Sequence, residues 1–517
     1  MTSEQLPMRP EHGPERRLSD LASAFGLAAP REDVHLTGVS LSSCEVEPGD
    51  LFAALNGLKV HGAEFGAAAV AAGAVAILTD AAGRELCSDL GVPILVAPDP
   101  RAVLGAVSAW VYGNPAEGIT VVGVTGTNGK TTTSYFVQAA LAAIHPVTAV
   151  LGTVELRIGA QAIESPRTTV EAPVLHGLLA LMHERGATAC SMEVSSHALA
   201  LHRVDGLVFD VVGFTNLSRD HLDFHGDMEG YYRDKSRLFA AGQANRGVVC
   251  VDDEWGVRLA GEAAIPVVTI ATRDHGVGRA DADWVVGDAT IGLDGVGSVF
   301  TLRGPGVEVV AHSPLPGVVN VSNAALAIVM AVEAGVPLAA AVDAIAVADQ
   351  IPGRMERVIE RGGGFPLCIV DYAHTPDALV LALEAVRPIT PGRLILVFGS
   401  DGDRDRGKRP MMGEIAARYA DVLVVTDENP RSEPPELIRA EILAGVRAVR
   451  PDSRNVHEAT VSRAQAIRDA LELAADGDTI IVTGKGHEPT QEIGGVFHRY
   501  NDRDVFLAVR AERESKK

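Results

Sequence analysis

Short runs that are apolar at nearly every position recur along this chain, each closed by a polar turn and followed by a stretch that reads as helix. The clearest is Ile119-Thr120-Val121-Val122-Gly123-Val124, a strand that leads through a glycine-marked turn into a helix over 131–143. Apolar runs at 187–192, 208–214 and 247–251 repeat the design, and those at 368–370, 394–398, 422–426 and 479–482 repeat it again. Strands without a polar face, separated by helices, predict parallel sheets covered on both sides. Earlier, 50–55 reads as a short strand and 67–78 as helix then strand, the latter too short and alanine-rich to span a bilayer. Between about 283 and 310 the pattern turns glycine-rich and β-alternating, and helix returns at 323–333.

Two turn signals divide this pattern. A helix ending Ala109-Trp110-Val111-Tyr112-Gly113 meets Asn114-Pro115, and a second break falls at Ile351-Pro352-Gly353. The expectation is three α/β domains, residues 1–115, 116–350 and 351–517, the central one a P-loop ATPase-like parallel sheet and the last Rossmann-like. A length of 517 residues, 47% hydrophobic and 22% charged, suits several globular domains. The first 30 or so residues read as a charged, proline-containing tail without the apolar core of a signal peptide.

A formal net charge of −22 argues against binding nucleic acid or an anionic membrane, so an anionic substrate must be held by local cations and helix N-termini. Cys44, Cys87, Cys190, Cys250 and Cys368 lack metal-ligand spacing and read as buried, reduced thiols of a cytoplasmic protein.

The chemistry begins at Gly126-Thr127-Asn128-Gly129-Lys130-Thr131-Thr132. A glycine turn into a helix points backbone N–H groups at a phosphate, a lysine adds a cation, and a threonine hydroxyl can ligate Mg2+. Val124 stands where the strict phosphate-loop pattern has glycine, yet strand, turn, Gly-Lys-Thr and helix occur together, and ATP or GTP is expected here. Glu193 closes a strand and is a candidate Mg2+ ligand. Asn216 to His225 places two histidines and two acids just past a buried strand, which suits either a divalent metal or acid–base work.

Together with Tyr231-Tyr232-Arg233-Asp234-Lys235, Leu315 to Asn323, Pro352-Gly353-Arg354 and Asp371-Tyr372-Ala373-His374, these segments resemble the Mur ligases, ATP-dependent amide-forming enzymes of peptidoglycan assembly. The resemblance covers roughly residues 35–510. It is strongest to members that add meso-2,6-diaminopimelate to the D-glutamyl γ-carboxylate of UDP-N-acetylmuramoyl-L-alanyl-D-glutamate, through an acyl phosphate.

The resemblance implies roles for particular residues. The N-terminal domain would bind the uridine nucleotide, with Leu41, Ser42 and His61, while Thr168, Thr169, Ser195 and Arg203 meet the muramoyl peptide. Gly126 to Thr132 would hold ATP with Asn320, Asn323, Arg354, Asp371 and His374. Lys130, Glu193, His221 and Lys235 would be catalytic, with Thr131, Glu193, His221 and Lys235 as Mg2+ ligands and Lys235 carbamylated to N6-carboxylysine. Diaminopimelate would lie against Arg404, Glu428, Asn429, Pro430, Arg431, Gly484 and Glu488. The guanidinium of Arg431 suits the carboxylate that distinguishes diaminopimelate from lysine. The plainer alternative is a surface arginine paired with Glu433. Glu428 stands where the family commonly has aspartate, and Ser400-Asp401 where Cys-Gly is frequent. A monomer without membrane insertion is expected. The rival readings are lysine as the added amino acid, and a non-catalytic scaffold switched by nucleotide.

Overall fold

A computed structural model describes residues 7–57, 59–291 and 296–515. The chain forms two compact units: residues up to Val285 together with Ala325–Ala344, and Val286–Ala324 together with the residues from Ile345 onward.

In the first unit, the strands Gly38–Ser40, Asp50–Ala53, Ala76–Thr79 and Ile94–Val96 pair in chain order as a parallel sheet. The helix Pro100–Val111 buries Leu104, Val107 and Val111 in a core with Leu51, Ala76 and Leu78. Asp99 caps it by accepting from the N–H groups of Arg101 and Ala102. From residue 7 on, the expected N-terminal tail is instead part of this fold. Residues Leu18–Ala24 form a helix with Leu18 and Leu21 buried, and Arg9 donates to both oxygens of Asp50 at 2.8 and 2.9 Å. Regularly spaced apolar residues at 18, 21 and 22 outweigh the surrounding charge.

Within this unit a second sheet includes, in order, the strands Gln161–Glu164, Glu155–Ile158, Thr148–Leu151, Ala189–Glu193, Thr120–Thr125, Phe209–Phe214, Ala244–Cys250 and Val267–Ala271. The six strands from Thr148–Leu151 onward run parallel, and the first two form an antiparallel edge. Register brings Glu193 opposite Val124, and Phe214 opposite Thr125. The carboxyl ends of three neighbouring strands therefore converge where the phosphate turn, Glu193 and Thr215-Asn216 follow.

In the second unit, Glu356–Ile359, Leu367–Asp371, Thr479–Thr483, Leu394–Phe398, Val422–Val425 and Val456–Glu458 form a six-stranded sheet in that order, parallel except for its first strand. Ile395, Val397, Val424, Ile480 and Val482 are wholly buried in its core, as the unbroken apolar runs require. The helix expected to begin at Asn323 begins at Val318, immediately after the Pro316-Gly317 turn, so Asn320 and Asn323 share its first two turns. Cys44 is exposed, whereas the other four cysteines are buried thiols.

Candidate active site

The phosphate turn is held from the next strand. Thr127 N–H donates to the Asn216 carbonyl at 2.9 Å, Asn128 N–H to Asn216 Oδ1 at 3.1 Å, and Thr215 Oγ1 to the Asn128 carbonyl at 2.7 Å. Gly126 sits at φ +143°, where a side chain would strike the Thr215 hydroxyl. Its carbonyl accepts from two lysines, Lys130 Nζ at 3.0 Å and Lys235 Nζ at 2.8 Å. Lys130 also donates to the Thr127 carbonyl at 2.9 Å. The helix Lys130–Leu141 starts at this turn.

Glu193 is 1% exposed. Its Oε2 accepts from Thr131 Oγ1 at 2.9 Å and Thr153 Oγ1 at 3.0 Å, and its Oε1 from Thr153 N–H at 2.7 Å. The Thr153 hydroxyl lies 3.1 Å from that of Thr168. A line of hydroxyls thus joins a residue expected at the muramoyl peptide to the expected metal ligands. Thr153 escaped the sequence reading because only its contact with Glu193 gives it a role.

Lys235 is also 1% exposed, on the helix Met228–Ser236. Its ammonium lies 4.7 Å from the centre of the Tyr231 ring. Burial, with Lys130 nearby, holds its pKa well below the ordinary lysine value. His221 adopts φ +52° and meets His197 edge-on at 4.8 Å. Partial desolvation of this half-exposed ring lowers its pKa, with the nearby lysines acting in the same direction and Asp220 opposing them. The second histidine of that segment, His225, is locked by Asp234 at 2.8 Å and Ser196 Oγ at 3.0 Å.

Mg2+ commonly takes one or two carboxylates together with substrate phosphate oxygens. Thr131 and Glu193, adjacent hard-oxygen donors, fit that pattern. Lys235 as an ammonium does not. Among the described residues no three or more His, Cys, Asp or Glu side chains gather as a metal cluster.

Thr169 Oγ1 donates to the Glu193 carbonyl at 2.9 Å and accepts from Ser195 N–H at 3.0 Å. Arg203 Nη1 donates to the Thr169 carbonyl at 3.2 Å, and its Nε pairs with Glu171 at 2.9 Å. These three expected peptide contacts therefore lie together. His61 Nδ1 accepts from Ala63 N–H at 3.0 Å, which leaves Nε2–H facing Asp80 at 3.2 Å. Leu41 and Ser42 follow the strand Gly38–Ser40.

In the second unit, Asn323 Nδ2 donates to Asn320 Oδ1 at 3.2 Å. Arg354 stacks 4.2 Å over the Tyr372 ring, and the His374 ring lies 4.7 Å from the same tyrosine. Asp371 accepts from the N–H groups of Met355 at 2.8 Å and Ala373 at 2.9 Å. Arg354, Asp371 and His374 thus form one group.

Asn429 to Arg431 follow the strand Val422–Val425. Asn429 Oδ1 accepts from Lys485 Nζ at 2.9 Å, and its Nδ2 donates to Glu488 Oε2 at 3.2 Å. Lys485 also donates to Glu488 at 2.7 Å. Arg431 holds φ +55°, its N–H donating to the Glu492 carbonyl at 3.1 Å and its carbonyl accepting from Gly494 N–H at 2.7 Å. Its side chain faces Asp401 at 3.6 Å and Glu492 at 3.8 Å. The alternative pairing with Glu433 fails, because Arg409 grips that carboxylate at 2.8 Å. Arg404 is exposed. A separate cavity of about 490 Å³, lined by Arg468, His487, Arg499 and Arg503 among others, includes none of the expected site residues.

Models of three Mur ligase domains match the sequence: the family's catalytic domain over residues 35–112, its middle domain over 124–331 and its glutamate ligase domain over 353–486. A UDP-N-acetylmuramoyl-L-alanyl-D-glutamate--2,6-diaminopimelate ligase of Streptomyces avermitilis is 46% identical over 97% of each chain. The chain belongs to the Mur ligase family. A UDP-N-acetylmuramyl-tripeptide synthetase of Leifsonia xyli subsp. xyli is 47% identical, covering 97% of this chain and 98% of its own. A solved structure of a UDP-N-acetylmuramoyl-L-alanyl-D-glutamate--2,6-diaminopimelate ligase aligns with TM-score 0.65 and 34% identity, covering 93% of this chain and 96% of that one. The expectation of a three-domain α/β Mur ligase is borne out. Mur ligases are ATP-dependent enzymes that form peptide bonds.

Proposed function

We propose that this protein joins meso-2,6-diaminopimelate to the D-glutamyl γ-carboxylate of UDP-N-acetylmuramoyl-L-alanyl-D-glutamate, at the cost of one ATP, as a cytoplasmic monomer. The observation that carries the reading is Arg431, a guanidinium on a backbone pinned at both its N–H and carbonyl, beside the Asn429–Lys485–Glu488 cluster. Such a group can grip the distal carboxylate of diaminopimelate with two parallel hydrogen bonds, which lysine has no carboxylate to accept. The names of the relatives support the same substrates. Among the described residues no helix is long and apolar enough to cross a membrane.

A carboxylate cannot be attacked by an amine with loss of oxide. Phosphorylation by ATP gives an acyl phosphate, the amine attacks its carbonyl carbon, and phosphate leaves. Lys130 and the N–H groups of the phosphate turn hold the β- and γ-phosphates. Thr131 and Glu193 would hold Mg2+, which when bound neutralises phosphate charge. Burial disfavours the charged form of Lys235, and a neutral amine adds CO2 with loss of a proton to become N6-carboxylysine. That anion and His221 are suited to a second Mg2+. Asn320, Asn323, Arg354, Asp371 and His374 would hold the nucleoside.

Phosphate release from ATP and Mg2+ with UDP-N-acetylmuramoyl-L-alanyl-D-glutamate tests the reading. Release with meso-diaminopimelate and not with L-lysine is expected. Preference for lysine overturns the specificity, and release that ignores both amino acids favours a nucleotide-driven scaffold.

A further inference from the structure

The cavity of about 490 Å³ in the second unit includes none of the residues given a role above. The helices Arg463–Leu473 and Asp502–Glu514 wall it, with the end of the strand Val496–Arg499 and the segment 352–356. Its volume falls within the range of about 300–1,000 Å³ usual for small-molecule sites. In a chain of formal net charge −22, three arginines gather here from separate stretches of chain: Arg468, Arg499 and Arg503. Two carboxylates, Glu356 and Asp504, line the same cavity, so positive charge is in excess. Much of the guanidinium capacity is uncommitted. Among the described residues the exposed Arg499 side chain has no hydrogen-bond or ion-pair partner, and that of Arg503 has only Glu356, at 3.4 Å. Arg468 pairs with Glu512 through Nη2 and Nη1 at 2.9 and 2.8 Å, which leaves its Nε–H for a further acceptor. Pro352, Pro489 and Val505 supply apolar lining.

We propose that this cavity binds a phosphate monoester with an apolar or aromatic body, and that its occupancy acts on the loop carrying Glu488. Three guanidinium groups suit the three terminal oxygens of a phosphate monoester, whereas a carboxylate offers two. The apolar lining suits the body of such a molecule. Asn501 ties the cavity to the loop. Its Nδ2 donates to the His487 and Glu488 carbonyls, both at 3.2 Å, and its Oδ1 accepts from Arg503 N–H at 2.9 Å. Glu356, the partner of Arg503, accepts from Gly353 N–H at 2.8 Å. Gly353 lies so close to the same loop that an added Cβ would strike the His487 backbone nitrogen. A phosphate that draws Arg503 from Glu356 therefore acts on both supports of the loop.

The test is calorimetric titration of the full chain with phenyl phosphate, and with benzoate as the carboxylate counterpart. Phenyl phosphate should bind at least about tenfold more tightly than benzoate. Arg499→Ala and Arg468→Ala, each checked by thermal melting, should weaken it at least about fivefold. Lys130→Ala, which alters the phosphate turn, should change it less than about twofold. No heat with phenyl phosphate at millimolar concentration, equal affinity for benzoate, or affinity undiminished in both arginine variants overturns the site. Binding lost in Lys130→Ala overturns it too, since the probe then sits at the phosphate turn. These titrations hold whether or not the ligase reading does. Saturating phenyl phosphate should also change KM for diaminopimelate at least about threefold, an effect absent from Arg499→Ala. A KM that stays constant while the probe binds overturns the action on the Glu488 loop.

Discussion

Replacing Thr153 with valine removes one hydroxyl donor from the buried Glu193. The carboxylate accepts three protein hydrogen bonds, one from Thr131 and two from Thr153. Valine keeps the shape and the backbone N–H and removes only the hydroxyl donor at 3.0 Å. A hydrogen bond to a charged group contributes about 1.5–3 kcal/mol. Two donors remain, so the low end applies, and ~1.5 kcal/mol corresponds to roughly a tenfold loss. The change also cuts the hydroxyl line from Thr168 to the Thr131–Glu193 pair. Initial rates of phosphate release, titrated with Mg2+ at saturating ATP, should show about a tenfold fall in kcat or an equal rise in the Mg2+ requirement. Thr153→Ser should restore most of it. A folded Thr153→Val protein within twofold of the unaltered rate at every Mg2+ concentration would refute the claim that this hydroxyl positions Glu193.

Three further outcomes are expected. Arg431→Lys keeps a cation and loses the two-pronged grip, so KM for diaminopimelate should rise about 10- to 100-fold while any weak lysine turnover changes little, as parallel titrations of both amino acids would show. Arg463 and Asp502 are fully buried and joined by two contacts of 2.8 Å; Asp502→Ala strands the guanidinium and should cost about 3–5 kcal/mol in chemical denaturation. His176 is wholly buried and burial lowers its pKa to about 4, so the unfolded chain takes up a proton near pH 6.5 that the folded chain refuses. The stability this residue provides above pH 6.5 should therefore fall by about 3 kcal/mol as pH drops toward 4, and denaturant midpoints of His176→Gln should show a shallower decline over the same window.

The sequence by itself determined the strands, because a run apolar on both faces, such as 394–398 or 479–483, can be satisfied only inside a covered parallel sheet. It also determined the glycine turn into the helix Lys130–Leu141, whose glycines and lysine lie within a few residues of one another. Local rules misjudged residues whose partners are distant. The charged start of the chain reads as a tail until Arg9 meets Asp50, 41 residues away. Lys235 and Glu193 would pass for solvated side chains, and only the strand register that gathers three carboxyl ends buries them. Arg431 could be proposed from its residue type as a carboxylate-binding residue, but Asp401 was only a departure from a pattern until folding set it 3.6 Å from that guanidinium. Periodicity reports which face of an element is buried. Which carboxylate then lies beside which cation is decided by strand order, and chain distance carries no signal of it.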